Sequence, residues 1–442
     1  MELLETLPSA PKAMPWLGHG PALLRDPLGF LSALPDHGDL VKLRLGRQDV
    51  IVVCTPDLHR EVLLDDCTYD KGGPVIERAR ELVGDGAATC PHGSHRRLSR
   101  LAQPSFRIER IPGYAQEFIA AANETADSWR DGQVIDATEE MTRLTLQAVV
   151  RTMFADALAP QSEQAVVEDI NVILSGFIRQ MATPSVVTRF PILGSRAYQQ
   201  AHARLRHIVE EVIASRRRDS SDHGDFLSSL MAARDADSPD ERGRLTESEL
   251  FDQVMTVFLA GVESTANTLS WSLHFVTANP DVDRQLRAET TRVLAGASPT
   301  FARVEQLTMA DRVLTETLRL YPAPLLTTRT VTSETELGGV VLPVGTMLAL
   351  SAYLIHRRED LYAEPRRFNP DRWLHALPDR RTYFPFGAGA RQCIGKQFAK
   401  VGVKLALTVL LDRWRLEPLT GTHPQVSSLT LTPKKLHLRV SA

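Results

Sequence analysis

Cys393 stands alone in a glycine-punctuated loop, Phe386-Gly387-Ala388-Gly389-Ala390-Arg391-Gln392-Cys393-Ile394-Gly395, that runs directly into an apolar helical pattern. At a helix N-terminus the unsatisfied N–H groups and the positive dipole end favour the ionised thiol, the form that binds metals. Gly389 and Gly395 let the backbone turn and approach a flat ligand closely. A nucleotide-binding loop does not fit, because five residues separate Gly389 from Gly395-Lys396 and Gln397 stands where Ser or Thr should bind magnesium. A zinc centre lacks a second ligand at suitable spacing, since Cys54, Cys67 and Cys90 lie far upstream. Two readings remain for Cys393 on its own: a metal-binding thiolate, or a buried cysteine ahead of a packed helix.

Two further constellations carry reactive groups. The stretch Phe258-Leu259-Ala260-Gly261-Val262-Glu263-Ser264-Thr265-Ala266-Asn267 places an acid and hydroxyls in an apolar setting, where they are costly unless paired or functional. Glu263 and Ser264 can hold water and pass protons, and Gly261 clears side-chain bulk so that a small molecule can reach the backbone. The plainer alternative is a helix in which Ser264 back-bonds to a carbonyl and Glu263 faces solvent. In Thr315-Glu316-Thr317-Leu318-Arg319-Leu320, Glu316 and Arg319 stand three apart on one helical face and can pair.

These groups need a scaffold, and the pattern supplies a mainly α one with a minor β part. Alternating runs at 40–45 and 50–53 predict a small sheet after a Pro-rich stretch from Pro8 to Pro21. From about Pro104 to Leu320 the pattern is helical, with breaks near Pro184, Pro191 and 219–225; short strands follow at 341–342 and 347–350. Thr246-Glu247-Ser248-Glu249 is a capping box, and a helix from there to Asn279-Pro280 would be about 50 Å long. No linker or repeat divides the 442 residues, so a single domain over 1–442 is expected. Hydrophobic content of 43% with 24% charged residues suits a globular chain with a sizeable core, and a net charge of -3 gives no reason to expect a nucleic-acid partner. Four cysteines make no disulfide framework, and neither a signal segment nor a membrane anchor of about 20 apolar residues is present, so a cytoplasmic monomer is expected.

The complete pattern Phe-x-x-Gly-x-Arg-x-Cys-x-Gly over 386–395 resembles that of the cytochrome P450 family, the reference case for haem ligation by a cysteine thiolate. The resemblance implies that family's fold, with the long central helix crossing over haem b, and makes Cys393 the axial iron ligand. Ala260-Gly261-Val262-Glu263-Ser264-Thr265 is similar to the family's oxygen-activation motif, which implies dioxygen as co-substrate and Glu263 and Ser264 as catalytic acid and alcohol. Ser264 stands where Thr is usual and lacks the methyl that restricts the rotamer. Glu316 and Arg319, with Arg372 in Phe368-Asn369-Pro370-Asp371-Arg372-Trp373, match the family's structural triad behind the haem. The resemblance implies Arg391, Arg329 and His95 as partners of the propionates. His95 begins a His-x-x-x-Arg pattern whose Arg is replaced by Ser99, so Arg100 or Arg96 is expected to compensate.

No flavin or nicotinamide module is recognisable, so the resemblance implies ferredoxin and ferredoxin reductase as electron donors, steered by a patch of Arg97, Lys396, Lys400 and Arg372. Substrate contacts would come from Val83, Val257, Ala260, Gly261, Leu325 and Leu326, an apolar set suited to a hydrophobic small molecule. Asp70-Lys71-Gly72-Gly73-Pro74, Arg329-Thr330-Val331-Thr332 and Tyr353-Leu354-Ile355-His356-Arg357-Arg358 further resemble actinobacterial terpene oxidases. The implied activity is hydroxylation or further oxidation of a sesqui- or diterpene skeleton. A fatty-acid or polyketide hydroxylase, or a haem-binding sensor or carrier without turnover, are the alternatives.

Overall fold

The capping box at Thr246 forms as the sequence predicts. The Thr246 side chain accepts from the Glu249 N–H at 3.2 Å, and the Glu249 carboxylate accepts from the Thr246 N–H at 2.9 Å. The helix that follows, Glu247–Ala278, has 32 residues and is therefore about 48 Å long. It ends at Asn279, where Pro280 opens the next helix, Pro280–Leu294. The structure, a computed structural model, describes residues 4–182, 195–219, 221–235, 237, 243–419, 425–426 and 431–442.

Helices Ala137–Phe154 and Lys396–Arg413 pack against the long helix, Ile111–Ser128 packs against both of those, and all four share one large apolar core. Gly402 sets how closely two of them approach: a Cβ there would stand 2.5 Å from the buried ring of Phe118. The Lys396–Arg413 helix is thereby held against Ile111–Ser128, which fixes the direction from which the Cys393 loop enters.

A second apolar core lies under a five-stranded sheet of order Leu40–Leu45, Gln48–Val53, Met347–Leu350, Thr327–Val331 and Tyr69–Asp70. Gln48–Val53 pairs parallel with Met347–Leu350; the other neighbours are antiparallel. The register matters for function, because Asp70 lies opposite Thr330 and so brings 70–71 beside Arg329.

The predicted strands are present, with two adjustments. Gln48–Val53 begins two residues earlier than the apolar run suggests, because its exposed end still pairs with Arg44 and Leu45. Val340–Leu342 forms a separate hairpin with Thr335–Leu337, closed by Gly338 and Gly339 at positive φ, instead of joining the main sheet. The helical middle is interrupted by Val134–Asp136, which pairs with the distant His437–Ser441. The break at 219–225 separates Ser195–Arg218 from Phe226–Ala232, while Pro184 and Pro191 lie outside the described residues.

Candidate functional site

The Cys393 loop is shaped by short backbone bonds. The Gly387 N–H donates to the Phe384 carbonyl at 2.9 Å, and the Cys393 N–H donates to the Phe386 carbonyl at 2.9 Å. Gly389, at φ 69°, lies against the Leu63 carbonyl so closely that no side chain could stand there. Cys393 is exposed, yet enough protein surrounds it that burial pushes its thiol above the ordinary value. The Gly395 backbone, Lys71 and Lys396 oppose that shift without overcoming it. The expected bias of the helix terminus toward thiolate is therefore outweighed by desolvation, and a bound metal cation is what would ionise this sulfur.

Three cations converge near the loop: Lys71, whose charge reaches Cys393, and Arg329 and Arg391, which share its field. Arg391 is buried and spends itself on Asp66 at 3.2 Å, Asp70 at 2.7 Å and the Cys90 carbonyl at 2.8 Å. Arg329 is 4% exposed; its Nη1 donates to the Thr328 carbonyl at 3.0 Å, but its Nε is buried without a partner. Burial and Arg391 lower its pKa to about 10. Lys71 donates to the Ala88 carbonyl at 2.6 Å, and burial, then Arg329 and Arg391, lower its pKa to about 7. His95 joins the same field, its pKa lowered to about 4 by burial, Arg391 and Lys71. Both local carboxylates are committed to Arg391, so Lys71 and Arg329 are placed to take up anionic groups. The two propionates of a haem, with a thiol facing the same region, fit this donor set.

Lys71 was not expected as a haem contact. Its signal was the stretch 70–74, but only strand register sets it beside Arg329. Arg100, the expected substitute for the missing Arg at Ser99, is directed elsewhere: it pairs with Asp235 at 3.1 Å and with Asp237. Five residues along a helix rotate a side chain about 140° away from His95, which is the physical reason.

On the long helix, Val257, Ala260, Gly261 and Ser264 recur at i, i+3, i+4 and i+7 and keep accessible surface within an otherwise largely buried stretch. A Cβ on Gly261 would touch only Val257 Cγ1, at 4.0 Å. This face is open and apolar. Ser264 Oγ donates to the Ala260 carbonyl at 2.7 Å, the back-bonded state. Glu263, half-buried, lies about 100° round the helix and shares a different face with Asp252 and Leu259. Of the other expected pocket residues, Leu326 is half-buried, whereas Val83 and Leu325 are packed in the two cores at 2% and 1% exposure and present no surface to a ligand.

Glu316 and Arg319 form the expected pair, fully buried and bidentate, with both N–O distances 2.8 Å. Arg319 also donates to the carbonyls of His356, Pro365 and Arg367. Glu316 accepts from Trp373 Nε1 at 3.0 Å and lies 3.5 Å from Arg372 Nε. The expected basic patch does not assemble as drawn. Arg372 is drawn to Glu316 and over the Tyr362 ring, and Arg97 is held by Glu249 at 2.6 Å and the Arg244 carbonyl at 2.7 Å. Lys396, exposed, shares its field with Lys400 and Arg380.

Comparison with known proteins agrees with this geometry. A family profile described as Cytochrome P450 matches residues 8–440. The chain is 38% identical over 442 residues to a pentalenene oxygenase of Streptomyces avermitilis, covering 98% of this chain and 97% of that protein. It is 38% identical over 436 residues to a cyclooctatin synthase of Streptomyces melanosporofaciens, covering 97% and 94%. The crystal structure of the cytochrome P450DA heme domain superposes with a TM-score of 0.87 at 28% identity, over 99% of this chain and 98% of that one. Among the described residues no helix is long and apolar enough to cross a membrane.

Proposed function

Because the chain belongs to the cytochrome P450 family and is a haem-dependent monooxygenase, we propose that it uses dioxygen and externally supplied electrons to hydroxylate or further oxidise a terpenoid hydrocarbon skeleton. The observation that carries the substrate class is the open face of Val257, Ala260 and Gly261, apolar and without a charged anchor, in a chain whose relatives include a pentalenene oxygenase and a cyclooctat-9-en-7-ol 5-monooxygenase. A fatty-acid hydroxylase would need a cationic anchor on that face, and the cations of this site cluster beside Cys393 instead.

Cys393 would hold the iron, Lys71, Arg329 and His95 would meet the propionates, and Arg391, held by Asp66 and Asp70, would add its charge to the same field. A haem with a thiolate ligand supplies the electron transfer and oxygen chemistry. Ser264 donates to Ala260 and so presents lone pairs to the open face, where it can accept a hydrogen bond from a water or a substrate hydroxyl. Donation toward a reacting oxygen requires its χ1 to rotate, which a serine does readily. Glu263, on the neighbouring face, would resupply the proton. Glu316, Arg319 and Arg372 are assigned a structural role, Val83 and Leu325 core packing, and 1–442 one domain of a cytoplasmic monomer. Ferredoxin, kept reduced by its reductase, would dock over Lys396, Lys400 and Arg380, and charge reversal there should slow reduction in a salt-sensitive manner.

The test has two stages. Reduced protein under carbon monoxide should show the Soret band of a thiolate-ligated haem; a band at the imidazole-ligated position would refute Cys393. Protein supplied with ferredoxin, reductase and NADPH should then oxygenate cyclic sesquiterpenes or diterpenes, read by mass spectrometry. Turnover of fatty acids alone would sink the terpenoid reading, and haem binding without NADPH consumption would favour a sensor or carrier.

A further inference from the structure

The buried pair Glu316–Arg319 and the Cys393 loop belong to separate stretches of chain, and one residue bridges them, its backbone carbonyl toward the pair and its ring toward the loop. His356 is fully buried at the C-terminal end of the short helix Ala352–Ile355. Its carbonyl accepts from Arg319 Nη1 at 2.9 Å, and its ring Nε2 accepts from the Phe384 N–H at 3.0 Å. Phe384 opens the turn that leads to Cys393: its carbonyl receives the Gly387 N–H, and the Phe386 carbonyl receives the Cys393 N–H, each at 2.9 Å. The His356 ring also stacks on Tyr383, centroids 5.2 Å apart at 18°, and the Tyr383 hydroxyl donates to the Thr315 carbonyl, beside Glu316, at 3.0 Å.

We propose that His356 is a positioning residue that couples the Glu316–Arg319 pair to the thiolate loop, holding the Phe384 amide, and through it Cys393, at the height the iron requires. The inference rests on Cys393 as the ligand. An acceptor at Nε2 places the ring proton on Nδ1, which is buried and directed to the backbone of Arg319, so both ring nitrogens are turned to backbone groups of the two stretches. Burial and Arg319 keep the ring neutral, its pKa lowered to about 3, so the acceptor persists across the working pH range. A protonated ring would set donor against donor at the Phe384 N–H.

Two substitutions separate positioning from packing. H356Q carries an acceptor at similar reach, while H356M fills comparable space without a strong one. In the reduced carbon-monoxide spectrum of the haem-loaded protein, the ratio of displaced to thiolate-ligated forms should rise about tenfold in H356M, the effect of stranding one buried N–H, and stay within about twofold in H356Q. The haem midpoint potential should move in H356M and return toward the parent value in H356Q. A measurement free of variants is hydrogen exchange of the Phe384 amide in the parent protein, which should be protected at least about a hundredfold relative to exposed loop amides. Parent-like spectra and potential in H356M, equal effects of Gln and Met, or rapid exchange at Phe384 would each overturn the coupling with Cys393 still the ligand. A parent protein without the thiolate band would overturn the ligand assignment and the coupling together.

Discussion

The two faces that meet at the cofactor position are built in opposite ways. On the Cys393 side, Glu316, Arg319, His356, Arg391, Asp66 and Asp70 are buried or half-buried and joined by named hydrogen bonds. On the long-helix side, Val257, Ala260, Gly261 and Ser264 present little side chain, and the one hydroxyl is turned back onto its own helix. The first face specifies one geometry through polar partners, each costly to remove. The second specifies a shape by leaving atoms out, so its changes should be felt by substrate more than by fold.

The contrast is broken most severely at its centre: Cys393→Ala should abolish the thiolate carbon-monoxide signature and reduce turnover to background, and a surviving signature would place the ligand elsewhere. Next, Arg319→Met strands Glu316 in a site with no exposed surface and should cost about 3–5 kcal/mol in urea denaturation, with loss of haem retention. A cost below about 1 kcal/mol would show that the pair is not the anchor of this face.

Acid should also act on the Cys393 side. His59 and His356 are fully buried there, with folded pKa values lowered by desolvation to about 4 and about 3 from 6.5. Their neutral forms are favoured by folding, so their contribution is intact well above pH 6.5 and declines as pH falls through it, toward about 4 for His59 and about 3 for His356. The slope for each rises from half of about 1.4 kcal/mol per pH unit at pH 6.5 toward the full value below it, roughly 3 kcal/mol for the two between pH 6.5 and 5. Denaturant titrations at both pH values, in the parent and in H356Q, should show the variant losing about half as much of this pH-dependent stability.

On the long helix the sign reverses. Gly261→Ala should stabilise the fold by up to about 1 kcal/mol, because the new Cβ meets only Val257 Cγ1 at 4.0 Å, while turnover of a bulky polycyclic substrate falls about tenfold. Destabilisation by this change would mean that the face is closed packing. The smallest effect on stability belongs to Ser264→Ala, within about 0.5 kcal/mol, with the loss appearing instead as less product per NADPH consumed. Unchanged coupling would remove Ser264 from proton delivery.

Much of both faces was legible as local pattern. The capping box at Thr246, the spacing of Glu316 and Arg319, and the 386–395 loop are short-range statements about which groups a helix or turn presents, and each has the expected form. Val83 and Leu325 were legible only as apolar, since an apolar side chain suits a pocket wall and a core equally well. Arg372 meets Glu316 as the resemblance implied and so is not available to a surface patch, while Arg97 is held by Glu249, which spacing along the chain could not reveal.

By itself the sequence determined the helices and turns that carry Cys393, Glu263 and Ser264, because helix and turn periodicities are local and strong, and its resemblance to the family proposed those residues as ligand and acid–alcohol pair. Only the tertiary structure decided which cations stand beside Cys393. Lys71 arrives through the register of Asp70 against Thr330, and Arg100 leaves toward Asp235 because one residue beyond Ser99 turns the side chain about 100° further round the helix. It also decided that Glu263 and Ser264 face different ways and that His356 ties two distant stretches together. Charges and hydrogen bonds act over a few ångströms, and only folding brings residues hundreds of positions apart within that range.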